Sequence, residues 1–265
     1  MADRYDRAAR RARLRLAAIG VVVVAALAAG GVFLVENLGP DHTGDNGHHA
    51  APTPTPRTSS SAGASSASPS SGAPTMLTPA QAKPVKLRKP TGQKNGVSIG
   101  FPDDGLGAIS AAVYHMDELS LLDDDMLRRQ LSTITAHGSE PSIDKAVSDT
   151  RALRAAVGLQ PSGGMPAGLT ISTSVDAVRG KSITPDGQVV QVWMHYSRSA
   201  TLPDAKPDDR PLRDQTSDVL MIWQDGDWKI TTDPQYMAKR TFPLSYDPNS
   251  VPARADGWWE VIRED

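Results

Sequence analysis

The chain of 265 residues has a formal net charge of -2 and contains no cysteine. Without cysteine, thiol catalysis, disulfide cross-links and zinc–thiolate sites are excluded. The charge is unevenly distributed, because residues 1–15 contain six arginines against two aspartates and have a net charge of +4, which leaves -6 for the remainder. Length alone predicts one or two domains, at about 100–200 residues each.

An uninterrupted apolar segment, Leu16–Val35, follows the basic residues. As a helix with a rise of about 1.5 Å per residue it would span roughly 30 Å, the thickness of the hydrocarbon core of a bilayer. Arginines before a lone apolar segment favour a cytoplasmic N-terminus and an extracytoplasmic C-terminal domain. The sequence therefore predicts a single-pass protein of the plasma membrane, with residues 1–15 as its cytoplasmic tail. A signal peptide cleaved after Ala28 is the alternative, but the apolar run continues well beyond that site.

Residues 36–95 are predicted to be a disordered linker. Every residue from Ala50 to Thr75 except Arg57 is Ala, Pro, Thr, Ser or Gly, and such a composition cannot bury enough apolar surface to fold. The cationic end of the linker, Lys83–Lys94, is interpreted as solvated, with contact to an anionic surface as the alternative. Five residues near its start have metal-ligand chemistry, but a linker would not fix their geometry, so no metal site is predicted: Asp41, His42, Asp45, His48 and His49.

The folded domain is predicted to cover residues 96–265 and to begin with three helices. A helical spacing of apolar residues, aspartates with N-cap chemistry and a Gly stop indicate them. The predicted helices run over Leu106–Leu122, from Asp123 to near Gly138, and from Pro141 to Gly158.

The hydrophobic period then changes to that of β-strands, which are predicted at Leu169–Val178, Gln188–Ser197, Ser217–Trp223 and Trp228–Thr232. The Asp225-Gly226 turn makes the last two a hairpin, and the tail from Asp233 to Asp265 is predicted to be irregular. Helices followed by a meander of strands predict an α+β domain. In it, three N-terminal helices pack on a curved, cone-like antiparallel sheet, preceded by one transmembrane helix and the disordered linker.

Three stretches carry a resemblance to known proteins: Ser98–Leu119 (SIGFPDDGLGAISAAVYHMDEL), Arg151–Gly164 (RALRAAVGLQPSGG) and Val219–Ile230 (VLMIWQDGDWKI). They are similar to uncharacterised actinobacterial single-pass membrane proteins with an extracytoplasmic nuclear-transport-factor-2-like cone domain, often associated with conjugative or integrative elements. The resemblance implies the cone architecture, which bitopic scaffold subunits of type IV secretion channels also use. It brings no catalytic residues.

Few residues are candidates for a site. His115 and Glu118 stand three apart and share a helix face, so that with Tyr114 they could line a polar pocket for acid–base work. The alternative is that they are hydrogen-bonded residues at the edge of the core. His195, on a strand, is expected to be packed or to lie at an edge. Trp258 and Trp259 are candidates for a partner surface, since Trp is enriched at binding hot spots, or for closing the open end of the sheet.

No sequence pattern of a serine nucleophile, a zinc protease or a phosphate-binding loop is present. The sequence therefore favours a non-catalytic, membrane-anchored assembly or scaffold module, in a conjugation or cell-envelope transfer apparatus. No cofactor, metal or nucleic-acid contact is expected. The membrane is expected to be bound through Leu16–Val35. Protein partners are expected, and a second copy of the chain is one candidate. The alternative is a membrane-tethered ligand-binding or enzymatic cone with a pocket near Tyr114, His115 and Glu118.

Overall fold

The folded domain places three helices before the long strands of a six-stranded sheet. The computed structural model describes residues 76–156, 158–201, 208 and 211–263. The helices are α1, Gly105–Glu118; α2, Asp124–Ile134; α3, Pro141–Ala156; α4, Pro234–Met237; and α5, Val251–Ala255. The strands are β1, Val85–Lys86; β2, Gly92–Lys94; β3, Val97–Ile99; β4, Thr170–Ser182; β5, Val189–Thr201; β6, Leu212–Gln224; β7, Asp227–Ile230; and β8, Trp259–Ile262.

The large sheet has the strand order β1-β8-β4-β5-β6-β7, and β2 pairs with β3 as a separate hairpin. It curls into a half-barrel, because irregularities in pairing at Asp176 of β4 and between Tyr196 and Arg198 of β5 bend its longest strands. The predicted α+β class, with helices packed on a curved sheet, is confirmed. The prediction of an entirely antiparallel sheet is corrected at β1, which runs parallel to β8.

Helix α1 packs on one face of the sheet, here called the inner face. Asp104 caps the helix, since its Oδ1 accepts a hydrogen bond from the backbone N–H of Gly107 at 2.6 Å. The helix ends at Glu118, earlier than predicted, because the following leucines leave it to enter a second core with α2 and α3. The main core, between α1 and the sheet, includes Phe101, Ala108, Ala111, Ala112, Met116, Val178, Val190, Val192, Met194, Tyr196, Met221 and Trp228.

The folded domain begins before the predicted boundary at residue 95. A short 3₁₀ helix at Pro79–Gln81 is followed by β1 and β2, and Leu87 is 1% exposed within the main core. Because β1 is held by β8, near the other end of the chain, no local pattern in this Lys- and Pro-rich stretch indicated it. The predicted linker is therefore corrected: its residues from Thr78 onward belong to the domain. The predicted cytoplasmic tail, the predicted membrane segment Leu16–Val35 and the rest of the predicted linker to residue 75 lie outside the described residues.

The C-terminal segment, residues 233–263, covers part of the opposite, outer face of the sheet. Trp258 is buried there together with Ala177, Trp193 and Ala253, and Tyr246 packs against this cluster. The tail was expected to be irregular, but it contains α4, α5 and β8. Strand β8 is the element that joins β1 to β4.

Candidate functional site

His115 and Glu118 converge on one residue of a neighbouring strand, Ser98 of β3. The His115 Nε2 lies 3.1 Å from the Ser98 carbonyl oxygen. The Glu118 carboxylate accepts hydrogen bonds from the Ser98 backbone N–H at 2.7 Å and from its hydroxyl at 2.6 Å. Together these contacts, here called the Ser98 clamp, hold β3 against the second half of α1. The side chains share a helix face, as predicted, and their hydrogen bonds go to the backbone and hydroxyl of Ser98 in the same chain.

A small cavity lies beside His115. Its volume is about 20 Å³, and it is lined by α1, β5, β6 and Ile230, which leaves room for about one water molecule. Burial lowers the pKa of His115 to about 4, so the ring is neutral at physiological pH. Because a carbonyl oxygen can only accept, Nε2 carries the proton, and Nδ1 has no hydrogen-bond partner within the described ranges. A neutral imidazole in this cavity can bind a water molecule.

Tyr114, the third predicted pocket residue, packs at the edge of the core. Its ring centroid lies 5.6 Å from that of Phe101, and the Arg263 guanidinium lies over the ring at 4.5 Å. Arg263 also pairs with Asp117. Tyr114 therefore connects α1 to the end of β8 and does not join the Ser98 clamp.

His195 lies on the outer face between two carboxylates. Its Nδ1 is 3.6 Å from Asp176 and its Nε2 is 3.7 Å from Asp214, while the residue is only 8% exposed. The ring packs on Tyr246, with centroids 4.6 Å apart. Burial, reinforced by the Glu260 carboxylate, raises the pKa of Tyr246, so that its hydroxyl stays protonated and donates to Glu260 at 3.2 Å. His195 is thus packed, as expected, and it contacts the C-terminal segment.

Of the two residues of the predicted partner surface, Trp258 and Trp259, the first is not at the surface, and the prediction is corrected for that residue. Trp258 is fully buried, and its Nε1 donates a hydrogen bond to the Leu244 carbonyl oxygen at 2.7 Å. Trp259 is half-buried, with the Arg254 guanidinium 3.3 Å from its ring centroid. Both tryptophans attach the C-terminal segment to the sheet.

Two large apolar side chains are exposed in the same segment. Phe242 is 70% exposed and Leu244 is 54% exposed, on either side of Pro243. Neither residue was among the predicted site residues. An aromatic residue in a Pro-rich stretch without hydrophobic period could have indicated an exposed apolar side chain. Phe242 and Leu244, here called the apolar tip, are better placed than the tryptophans to contact a partner protein.

Comparison with known proteins assigns no family or function to the chain. No known family, curated protein or solved structure gives a significant match. Within the described ranges, no group of three or more histidines and acidic residues is arranged to hold a metal ion, and the histidines near the start of the linker lie outside those ranges. No helix of the described part is long and apolar enough to cross a membrane; the predicted anchor, Leu16–Val35, is not in it.

Proposed function

We propose that this chain is a membrane-anchored, non-catalytic assembly or scaffold module whose folded domain lies outside the cytoplasm. The Ser98 clamp is the observation that carries the proposal. The strongest acid–base candidates on α1, His115 and Glu118, are engaged in holding β3 in place. The cavity beside them, at about 20 Å³, is far below the roughly 300–1,000 Å³ of typical small-molecule sites.

The membrane anchor in this proposal is Leu16–Val35. Its arginine-rich flank supports a cytoplasmic N-terminus at the plasma membrane. The half-barrel with helices on its inner face supports the cone architecture that the sequence resemblance implies. On the same resemblance, the chain belongs with actinobacterial membrane proteins and serves a conjugation or cell-envelope transfer apparatus.

The apolar tip supports a protein partner. Exposed aromatic and aliphatic side chains are costly to leave in water and commonly anchor interfaces. A second copy of the chain is one such partner. Two copies cannot pair through the centre of the outer face in this structure, because the C-terminal segment covers Trp193 and Asp218 there. Pairing of two copies is therefore expected at the apolar tip.

The test uses the full-length chain in its native membranes. A photo-crosslinking amino acid replaces Phe242, and a matched chain carries it at Lys94, which is exposed on β2. After irradiation and affinity purification, mass spectrometry is expected to identify an envelope protein or a second copy linked from position 242 and absent from position 94. Recovery of only uncrosslinked chain from both positions would contradict the proposal.

The alternative function is a ligand-binding or enzymatic cone with a pocket near Tyr114, His115 and Glu118. His115 favours it, because the residue lines the cavity and its Nδ1 has no hydrogen-bond partner among the described residues. His115→Gln separates the two functions, because Gln retains a group that can bond to Ser98. An enzymatic cone would lose its cellular activity in this variant while the crosslinks from position 242 persist. A scaffold would retain both.

A further inference from the structure

A ladder of hydroxyl groups occupies the outer face of β4 and β5, beyond the cluster around Trp258. Alternate residues of a strand share a face, and the register places three cross-strand pairs on this one. The ladder consists of Thr170 opposite Thr201, Ser172 opposite Ser199, and Ser174 opposite Ser197. All are exposed except Ser197, which is half-buried.

The ladder borders a groove of about 340 Å³, a volume within the range of roughly 300–1,000 Å³ typical of small-ligand sites. The exposed Arg213 lines its rim, together with Pro211. Asp208 is the acidic residue of the lining, and its Oδ2 accepts a hydrogen bond from the Ala200 backbone N–H at 3.3 Å. The described lining is thus polar, with Arg213 and Asp208 as charged residues, and Arg198 belongs to the strand beneath it.

Arg198 lies in the strand that forms the floor of this groove and is only 4% exposed. Its Nε donates to the Thr173 hydroxyl at 3.0 Å, and its guanidinium lies 5.2 Å from the ring centroid of Tyr196 on the inner side of the sheet. Its Nη1 and Nη2 are buried and have no hydrogen-bond partner among the residues that the structure describes.

An arginine keeps its charge in proteins, and a buried charge without a counter-charge is strongly unfavourable. Electrostatic interactions are also stronger beneath the sheet than in water, since the effective dielectric constant is lower there. The positive potential of Arg198 therefore extends through the strand to the groove, where it adds to that of Arg213.

We infer that this groove binds an oxyanion, a phosphate, sulfate or carboxylate group, carried on a molecule rich in hydroxyl groups. Arg213 pairs with the anion through a guanidinium fork. The ladder donates hydrogen bonds to the remaining oxygens and exchanges them with the hydroxyl groups of the carrier. Arg198 attracts the anion from below without touching it. The inference is independent of the membrane anchor and of the apolar tip.

The experiment measures thermal unfolding of the full-length chain in detergent by tryptophan fluorescence. All five tryptophans lie in the described domain, so the signal reports on that domain. Inorganic phosphate and glycerol 3-phosphate are compared with chloride at equal ionic strength. Both are expected to raise the midpoint of unfolding by about 2–4 °C at a concentration several times the dissociation constant, since a ligand that binds only the folded state stabilises it. A larger rise with glycerol 3-phosphate indicates a carried oxyanion, and an equal rise indicates a free one.

Three variants complete the test. Arg213→Gln is expected to lose at least half of the phosphate response, whereas Arg129→Gln, an exposed arginine on α2, keeps it. Arg198→Met is expected to raise the midpoint without ligand, because it removes a buried charge that has no acidic partner among the described residues, and to weaken the response to phosphate. The inference fails if neither anion raises the midpoint, or if Arg213→Gln and Arg129→Gln respond equally. Crosslinking from position 242 should be unchanged by Arg213→Gln, so either proposal can fail alone.

Discussion

Arg240 in the C-terminal segment and Asp218 in β6 form a buried ion pair. The Arg240 Nε donates to the Asp218 Oδ2 at 2.8 Å, and Nη2 donates to Oδ1; the side chains are 9% and 5% exposed. Gln191 of β5 donates to the same Asp218 Oδ2 at 2.6 Å and accepts from the Thr241 backbone N–H at 3.1 Å. Polar contacts therefore attach a segment without hydrophobic period to the outer face of the sheet.

Arg240→Ala is expected to lower the free energy of unfolding by about 3 kcal/mol, because it leaves the Asp218 carboxylate buried without its counter-charge. Urea unfolding of the full-length chain, followed by tryptophan fluorescence, measures this change. Lys145→Ala is the control, since Lys145 forms an exposed pair with Asp149 on α3 and should cost less than about 0.5 kcal/mol. Equal effects of the two substitutions would show that the tail contributes little to stability.

The parts of the fold that depend on near neighbours in sequence were predictable. Alternation in β5 placed Val190, Val192, Met194 and Tyr196 on one face, and all four lie in the main core. The aspartates expected to begin the first two helices do so, since Asp104 and Asp123 each accept a hydrogen bond from a backbone N–H three residues ahead. These signals depend only on residues that are close in sequence, so they can be recognised without the tertiary structure.

The parts that depend on distant pairing were not predictable. The assignment of residues 78–95 to the linker followed their composition, but β1 exists because β8 lies beside it. The prediction that His115 and Glu118 share a face was correct, yet only the tertiary position of Ser98 shows that both side chains bond to that residue. The hydroxyl ladder likewise requires the register of β4 against β5, which no single strand encodes.

Two glycines of α1 are expected to respond in opposite ways to alanine. A Cβ at Gly107 would overlap the Pro102 carbonyl oxygen, which accepts a hydrogen bond from Trp228 Nε1 at 2.7 Å. Overpacking of this kind should cost about 2 kcal/mol. A Cβ at Gly105 meets no atom within 4 Å, so Gly105→Ala should be neutral or stabilise the helix by up to about 1 kcal/mol. Urea unfolding of both variants checks the pair, and a Gly107→Ala variant as stable as the parent would refute the close approach.

Asp124→Asn is expected to loosen the loop between α3 and β4. The fully buried Asp124 carboxylate accepts hydrogen bonds from Arg151 at 2.7 Å, from the Ser162 hydroxyl at 2.8 Å and from the Gly163 backbone N–H at 2.8 Å. Burial alone would raise the pKa of Asp124, but these hydrogen bonds hold it well below its usual value. The anion is therefore the form that the loop requires, and its loss should cost about 2 kcal/mol.

Limited proteolysis with thermolysin measures this loosening directly. Cleavage between Leu159 and Leu169 should be faster in Asp124→Asn than in the parent chain. Asp144→Asn is the control, because that carboxylate is 74% exposed and pairs with Arg128 at the surface. Should both variants be cut at the parent rate, the hydrogen bonds of Asp124 would not be what orders the loop.

His115 gives the domain a stability that falls on mild acidification. Burial is the largest cause of its lowered pKa of about 4, and the charge of Lys229 lowers it further, while the Ser98 carbonyl and Asp227 oppose the shift. Between pH 6.5 and about 4 the unfolded chain therefore binds a proton at His115 that the folded chain does not. Stability consequently decreases as the pH falls through this window, by about 3 kcal/mol in total for a shift of this size, and below it the contribution stays constant.

Measuring the free energy of unfolding in urea at intervals from pH 7 to pH 4 tests this dependence. His115→Gln removes the titrating group and should flatten the profile between pH 6.5 and 4, even if it lowers stability uniformly. The contribution of Asp124 falls in a separate window, since its depressed pKa means that its stabilisation is lost only as the pH drops below its unfolded value of 3.8. A profile equally steep in the parent and in His115→Gln would mean that the buried ring accepts a proton in the folded state, and the neutral Ser98 clamp would have to be abandoned.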